Sequence, residues 1–107
     1  MKKETLQKEY KDKIVGVLAA LFPNAKIYLF GSRARGTHPE KSDIDIAIDE
    51  GEPVRPGRIG EANSMFAESN ILYKIDVVDL HSVSKKMKDF ILKEGILWKS
   101  ILDRIEI

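Results

Sequence analysis

The stretch that most constrains this chain is Asp43-Ile44-Asp45-Ile46-Ala47-Ile48. Its polar and apolar residues alternate with a period of two, which an extended strand turns into two unlike faces. One face is apolar, and the other carries both carboxylates. Carboxylates this close repel one another unless a cation lies between them. Read alone, the pair fits the solvated face of an edge strand equally well, so its meaning depends on what surrounds it.

The neighbouring segments supply the elements of a small fold. Leu6, Tyr10, Ile14, Val17, Leu18 and Leu21 recur at helical spacing over residues 4–21, and Phe22-Pro23-Asn24 ends that helix. Ile27 to Phe30 is a short apolar run that reads as a buried strand, stopped by Gly31-Ser32. A polar segment follows to Ser42. Gly51, Pro53, Pro56, Gly57 and Gly60 mark a long turn region, and Ile59, Ala62, Met65 and Phe66 predict a helix to about Asn70. Ile71 to Leu80 reads as a third strand carrying Asp76 and Asp79. Ser82 or Ser84 caps a last helix whose stripe is Val83, Met87, Phe90 and Ile91, with Gly95 as its stop. Leu97, Trp98, Ile101, Leu102 and Ile105 continue at helical spacing, as an apolar tail that docks on its own core or on another subunit. The order predicts an α/β or α+β fold, a small mixed sheet flanked by helices, with residues 1–107 as one domain.

Composition removes several functions. Eighteen Lys and Arg face 17 Asp and Glu, a net charge of +1, which argues against coating nucleic acid non-specifically. The chain has no cysteine, which excludes disulfides, thiolate metal sites and a thiol nucleophile. No apolar run approaches the roughly 20 residues needed to span a bilayer. No hydrophobic signal core follows Met1, so the expected location is cytoplasmic. His38 and His81 lack a second histidine at ligand spacing, which argues against zinc. Tyr10, Tyr28, Tyr73 and Trp98 read as packing residues, Lys74 as structural and Asp49 as a surface residue beyond the strand end.

Charge is partitioned around the carboxylate strand. Arg33, Arg35 and Lys41 outnumber Glu40 before it, whereas Asp43, Asp45, Asp49, Glu50 and Glu52 follow without a cation. A positive, glycine-bearing turn directly ahead of paired carboxylates suits a phosphate held beside a metal ion. Gly31 and Ser32 offer backbone N–H groups and a hydroxyl at a strand end. Magnesium prefers carboxylates, phosphate oxygens and water, and a third carboxylate on a neighbouring strand would complete the set. Asp76 is the candidate. Asp79 lies an odd number of residues from it and faces the other way on a regular strand.

At these residues the chain resembles the DNA polymerase beta-like nucleotidyltransferase superfamily. Gly31-Ser32, ten intervening residues, Asp43-Ile44-Asp45 and the later Asp76 match its pattern. The string GSRARGTHPEKSDIDIAI looks like the minimal nucleotidyltransferase (MNT) branch, and FILKEGILW is similar to that branch's usual ending. The resemblance covers about Ile27 to Trp98. It implies transfer of a nucleoside monophosphate, AMP from ATP or the equivalent from another NTP, to an acceptor hydroxyl with release of pyrophosphate. Asp43, Asp45 and Asp76 would hold two magnesium ions, with manganese left open. Gly31 and Ser32 would hold the β- and γ-phosphates, and Arg33 or Arg35 would support them; spacing does not choose between the two arginines. The resemblance further implies a helical HEPN-type protein as partner, with this chain as the antitoxin that modifies it; the apolar tail, for its part, fits a homo- or hetero-oligomer and leaves the state open. The competing readings are an antitoxin that silences its partner by covering it, with catalysis weak or irrelevant, and a small-molecule resistance enzyme, which would need an acceptor domain or a dimer to supply its acceptor site.

Overall fold

The structure is a computed structural model, described here for residues 8–36 and 43–99. In chain order the elements are α1 (Lys8–Leu21), β1 (Lys26–Phe30), α2 (Ser32–Arg35), β2 (Ile44–Asp49), α3 (Arg58–Ala67), β3 (Ile75–Asp79), α4 (Lys85–Glu94) and β4 (Ile96–Lys99). The strands form one sheet in the order β3-β2-β1-β4. β1 runs antiparallel to both β2 and β4, while β2 and β3 are parallel and joined across α3. This is the α+β arrangement with a mixed sheet that the element order predicts.

Alternation along the strands sorts the side chains into two layers. Ile27, Leu29, Ile44, Ile46, Ile48 and Val77 point to one face and are buried against Ile14 and Leu18 of α1, Phe22 just after it, and Ala62 and Phe66 of α3. Each such isoleucine or leucine contributes roughly 1.5–3 kcal/mol by leaving water, so this layer supplies most of the cohesion. The opposite face has a smaller cluster, in which Phe30 and Ala47 pack with Leu80 and Ile91. That second layer covers only part of its face, and the sheet's carboxylates emerge beside it. β3 is an edge strand, and Asn63 of α3 closes part of its open side. The Asn63 amide accepts from Val77 N–H at 2.8 Å and donates to Val77 C=O at 3.1 Å, as a neighbouring strand would.

Four elements differ from the sequence reading. Residues 96–99, expected to continue as helix, form β4: Gly95 ends α4 with extended backbone, and the free edge of β1 takes up Ile96 to Lys99. Trp98 is buried in the main core, under Lys11, so it anchors this strand rather than a helix. The third strand starts at Ile75 and not Ile71: its ladder with β2 opens at the Ile44–Ile75 pair, with Ile44 N–H donating to Lys74 C=O at 2.8 Å just ahead of it. The polar segment after Gly31 contains a one-turn helix, α2, closed by Gly36 in the left-handed region at φ 75°. On α4, Ser84 caps the N-terminus by accepting from Met87 N–H at 3.2 Å, but Met87 and Phe90 are exposed and only Ile91 is fully buried. Leu6, His38, Lys41, Ile101, Leu102 and Ile105 lie outside the described residues. Among those described, no helix is long and apolar enough to cross a membrane.

Candidate active site

The parallel register of β2 and β3 sets Asp45 directly beside Asp76, and the antiparallel register of β1 and β2 sets Phe30 on the other side of Asp45. Both carboxylates therefore leave the same face of the sheet, the one that α4 only partly covers. Asp43 precedes β2 by one residue and is exposed. Asp45 is half-buried, and burial raises its pKa above the ordinary aspartate value, reinforced by the charge of Asp76 and then of Asp43. Every one of these influences penalises the ionised form, so a cation beside Asp45 would be strongly favoured. Among the described residues no three His, Asp or Glu side chains close round a metal ion by themselves. The donor set nevertheless fits an oxygen-preferring divalent ion, because magnesium keeps several waters and takes phosphate oxygens beside one or two carboxylates.

Gly31 completes this corner for a steric reason. Its φ of 81° lies where side chains are rarely tolerated, and a Cβ there would come within 2.6 Å of the Asp45 carboxylate oxygen Oδ2. The turn after β1 thus lies against the carboxylate pair only because residue 31 has no side chain. Ser32 and the α2 turn follow at once, with Arg35 N–H donating to Gly31 C=O at 3.2 Å.

The two arginines part company. Arg33 is buried, and its guanidinium lies 4.4 Å over the Tyr73 ring, which meets Tyr10 edge-on at 5.4 Å. Arg35 is exposed, 5.8 Å from the centre of the Phe90 ring on α4. Position 33 faces inward and position 35 outward, a distinction that spacing in a loop does not carry and a one-turn helix does.

A family model described as Polymerase beta, Nucleotidyltransferase matches residues 12–102. The chain belongs to this nucleotidyltransferase family. The nucleotidyltransferase is 30% identical over 77 residues to a Haemophilus influenzae protein described as "Probable protein adenylyltransferase MntA", a match covering 72% of this chain and 68% of that one. Its fold superposes on a toxin–antitoxin crystal structure with AMP-PNP at a TM-score of 0.74 and 28% identity, covering 89% of this chain and 83% of that one. It also superposes on the complex of a tri-AMPylated Shewanella oneidensis HEPN toxin with its MNT antitoxin. There the TM-score is 0.71 and the identity 26%, over 94% of this chain and 78% of the other.

Two further aspartates of this nucleotidyltransferase, Asp79 and Asp49, are structural. Asp79 is buried and accepts from Val54 N–H at 2.9 Å, His81 N–H at 3.0 Å and the Ser82 hydroxyl at 2.7 Å. Burial opposes its ionisation, but these donors outweigh burial and hold its pKa below the ordinary value. Asp49 corrects the sequence reading: it is the last residue of β2, half-buried, and accepts from His81 Nε2 and from Gly51 N–H at 2.8 Å. Its pKa is lowered as well, burial again being outweighed by the His81 hydrogen bond and Gly51 N–H. Lys88 Nζ lies 3.4 Å from the other ring nitrogen of His81, so His81 links β2 to α4. Sequence reasoning also missed Asn63 and the contact of Arg33 with Tyr73. Both join residues far apart in the chain, and neither has a local signal.

Proposed function

We propose that this chain transfers AMP from ATP to a hydroxyl on a helical, HEPN-type protein partner, releasing pyrophosphate. The observation that carries the reading is the pairing of Asp45 with Asp76 on adjacent strands, with the Gly31 turn packed against Asp45. The similar proteins named above support the nucleotide and the partner: one is described as a protein adenylyltransferase, and one is seen with an AMPylated HEPN toxin. Residues 1–107 are read as one nucleotidyltransferase domain working in the cytoplasm, where ATP and a toxin of this kind would meet.

Asp43, Asp45 and Asp76 are the residues that would hold divalent metal, magnesium or manganese. Bound there, such ions would neutralise phosphate charge and make the acceptor hydroxyl more acidic. Gly31 N–H and Ser32 would hold the β- and γ-phosphates, with exposed Arg35 as the cation free to approach them; the buried Arg33 holds the turn in place from behind. The acceptor oxygen bonds to the α-phosphorus and gives up its proton to a carboxylate of the set. The bond from that phosphorus to its bridging oxygen breaks, and pyrophosphate leaves with the electron pair. Such chemistry requires alignment and charge stabilisation and little else, which a domain of this size can supply.

The test uses α-labelled ATP, Mg²⁺, the full chain and its HEPN-type partner, compared with an Asp43→Asn, Asp45→Asn double variant. Label on the partner with wild type alone is the expected result. A double variant that still neutralises the partner, with no label in either sample, would replace this reading with silencing by cover.

A further inference from the structure

Three strands set out the site in a line. Gly31 and Ser32 follow β1, Asp45 lies on β2, and Asp76 lies beyond it on β3. Past Asp76, round the edge of the sheet, the surface falls into a cavity of about 560 Å³. Its walls include Asn63 and Phe66 of α3, Ile71 and Leu72 of the loop after it, Lys74, and Asp76 itself. We propose that this cavity is the acceptor cleft, and that it takes a short apolar stretch of the protein partner, delivering that stretch's hydroxyl to Asp76. The inference rests on the nucleotidyl-transfer reading above.

The first argument is directional. Displacement at phosphorus brings the entering oxygen in opposite the leaving one. With pyrophosphate leaving towards Gly31 and Ser32, the hydroxyl has to arrive from the β3 side, where Asp76 forms part of the cavity wall. The second argument is chemical. Leu72 is 85% exposed, an apolar side chain held in water beside partly buried Ile71. Among the described residues, lining charge is limited to one cation, Lys74, and one anion, Asp76. That balance suits an apolar protein segment with a polar tip and does not suit a triphosphate.

The wall is also held in place before anything binds. Tyr73 is fixed between Tyr10 and the Arg33 guanidinium, so the 71–74 loop is tied to α1 and to the turn directly after Ser32. At its start, the Ser69 hydroxyl donates to Phe66 C=O at 2.7 Å and accepts from Ile71 N–H at 3.3 Å. A rigid wall loses little entropy on docking, so its apolar contacts are realised as affinity. In the reaction the segment's O–H passes its proton to Asp76, its oxygen bonds to the α-phosphorus, and pyrophosphate leaves as before.

The experiment measures initial rates of AMP transfer to the protein partner, varying partner and ATP separately, for wild type, Leu72→Asp and Leu72→Met. Leu72 is exposed, so both variants should keep the wild-type unfolding curve. Leu72→Asp is expected to raise KM for the partner about tenfold, the loss of a single interface anchor. It should leave KM for ATP unchanged, and Leu72→Met should stay near wild type. A raised KM for ATP with an unchanged KM for the partner would make this a nucleotide site and overturn the proposal. Unchanged values for both would overturn it too. Wild type that labels no partner at all is a different result: it removes the transfer reading, and the cleft with it.

Discussion

β2 and β3 each carry two aspartates, and the two ends of this strand pair treat them in opposite ways. At one end Asp45 and Asp76 are cross-strand neighbours on an open face, and burial together with like charge pushes the Asp45 pKa up. At the other end Asp49 and Asp79 are surrounded by donors, from His81 and Gly51 for the first and from Val54, His81 and Ser82 for the second, and both pKa values fall. The residue type and the strands are the same. What differs is whether loops have folded back to supply N–H and O–H groups. Charge that the chain balances for itself fastens the loops to the sheet; charge left unbalanced is available to a ligand.

Substitutions at the two ends should therefore separate rate from stability. The largest effect is expected from Asp45→Asn, which should cut AMP transfer by about 10²–10³-fold, the usual cost of one electrostatic group at a reacting centre, with the fold intact by circular dichroism. Gly31→Ala comes next. It combines backbone strain at φ 81° with a contact of 2.6 Å to Asp45, and should cost about 2–4 kcal/mol in denaturant unfolding as well as most of the activity. At the opposite end Asp79→Ala strands three donors and should cost about 1–3 kcal/mol, while the folded fraction keeps its transfer rate per molecule. Equal losses of rate per folded molecule from Asp79→Ala and Asp45→Asn would end the distinction between the two regions.

The smallest effect concerns pH. Asp49 and Asp79 titrate below their unfolded values, so their stabilisation is present above the ordinary carboxylate pKa and is lost as pH falls through the depressed values. Asp45 has the opposite sign. Its raised pKa weighs against the folded state at neutral pH, and that penalty disappears as pH falls below the unfolded value. Asp45→Asn should thus gain about 0.5 kcal/mol or less near pH 7, measured by urea unfolding, and nothing in acid. A gain that persists at low pH would show that charge is not its source.

What could be read in the sequence follows the same division. The facing of Asp45 and the opposite facing of Asp76 and Asp79 follow from local alternation, and the sheet's main face follows from its isoleucines. Asp49 was misjudged because its partner, His81, comes from a loop after β3, and no spacing rule connects them. The inward turn of Arg33 depends on Tyr73, equally distant in sequence. Leu97, Trp98 and Ile101 fit a 3.6-residue period, so the β4 segment reads as helix from its own sequence. The decision between helix and strand was made by the unfilled edge of β1, which lies elsewhere in the chain.

That edge has a consequence for how the protein is made. β1 emerges ahead of both its neighbours and pairs on one side with β2, but its other neighbour, β4, leaves the ribosome after every other described strand. Until then β1 presents a row of unpaired backbone groups beside apolar side chains, the kind of surface that invites sticking to other nascent chains. Because the sheet closes by joining an early strand to a late one, its completion is non-local and correspondingly slow. Translation has to run almost to the end of the described chain before β1 has both of its neighbours.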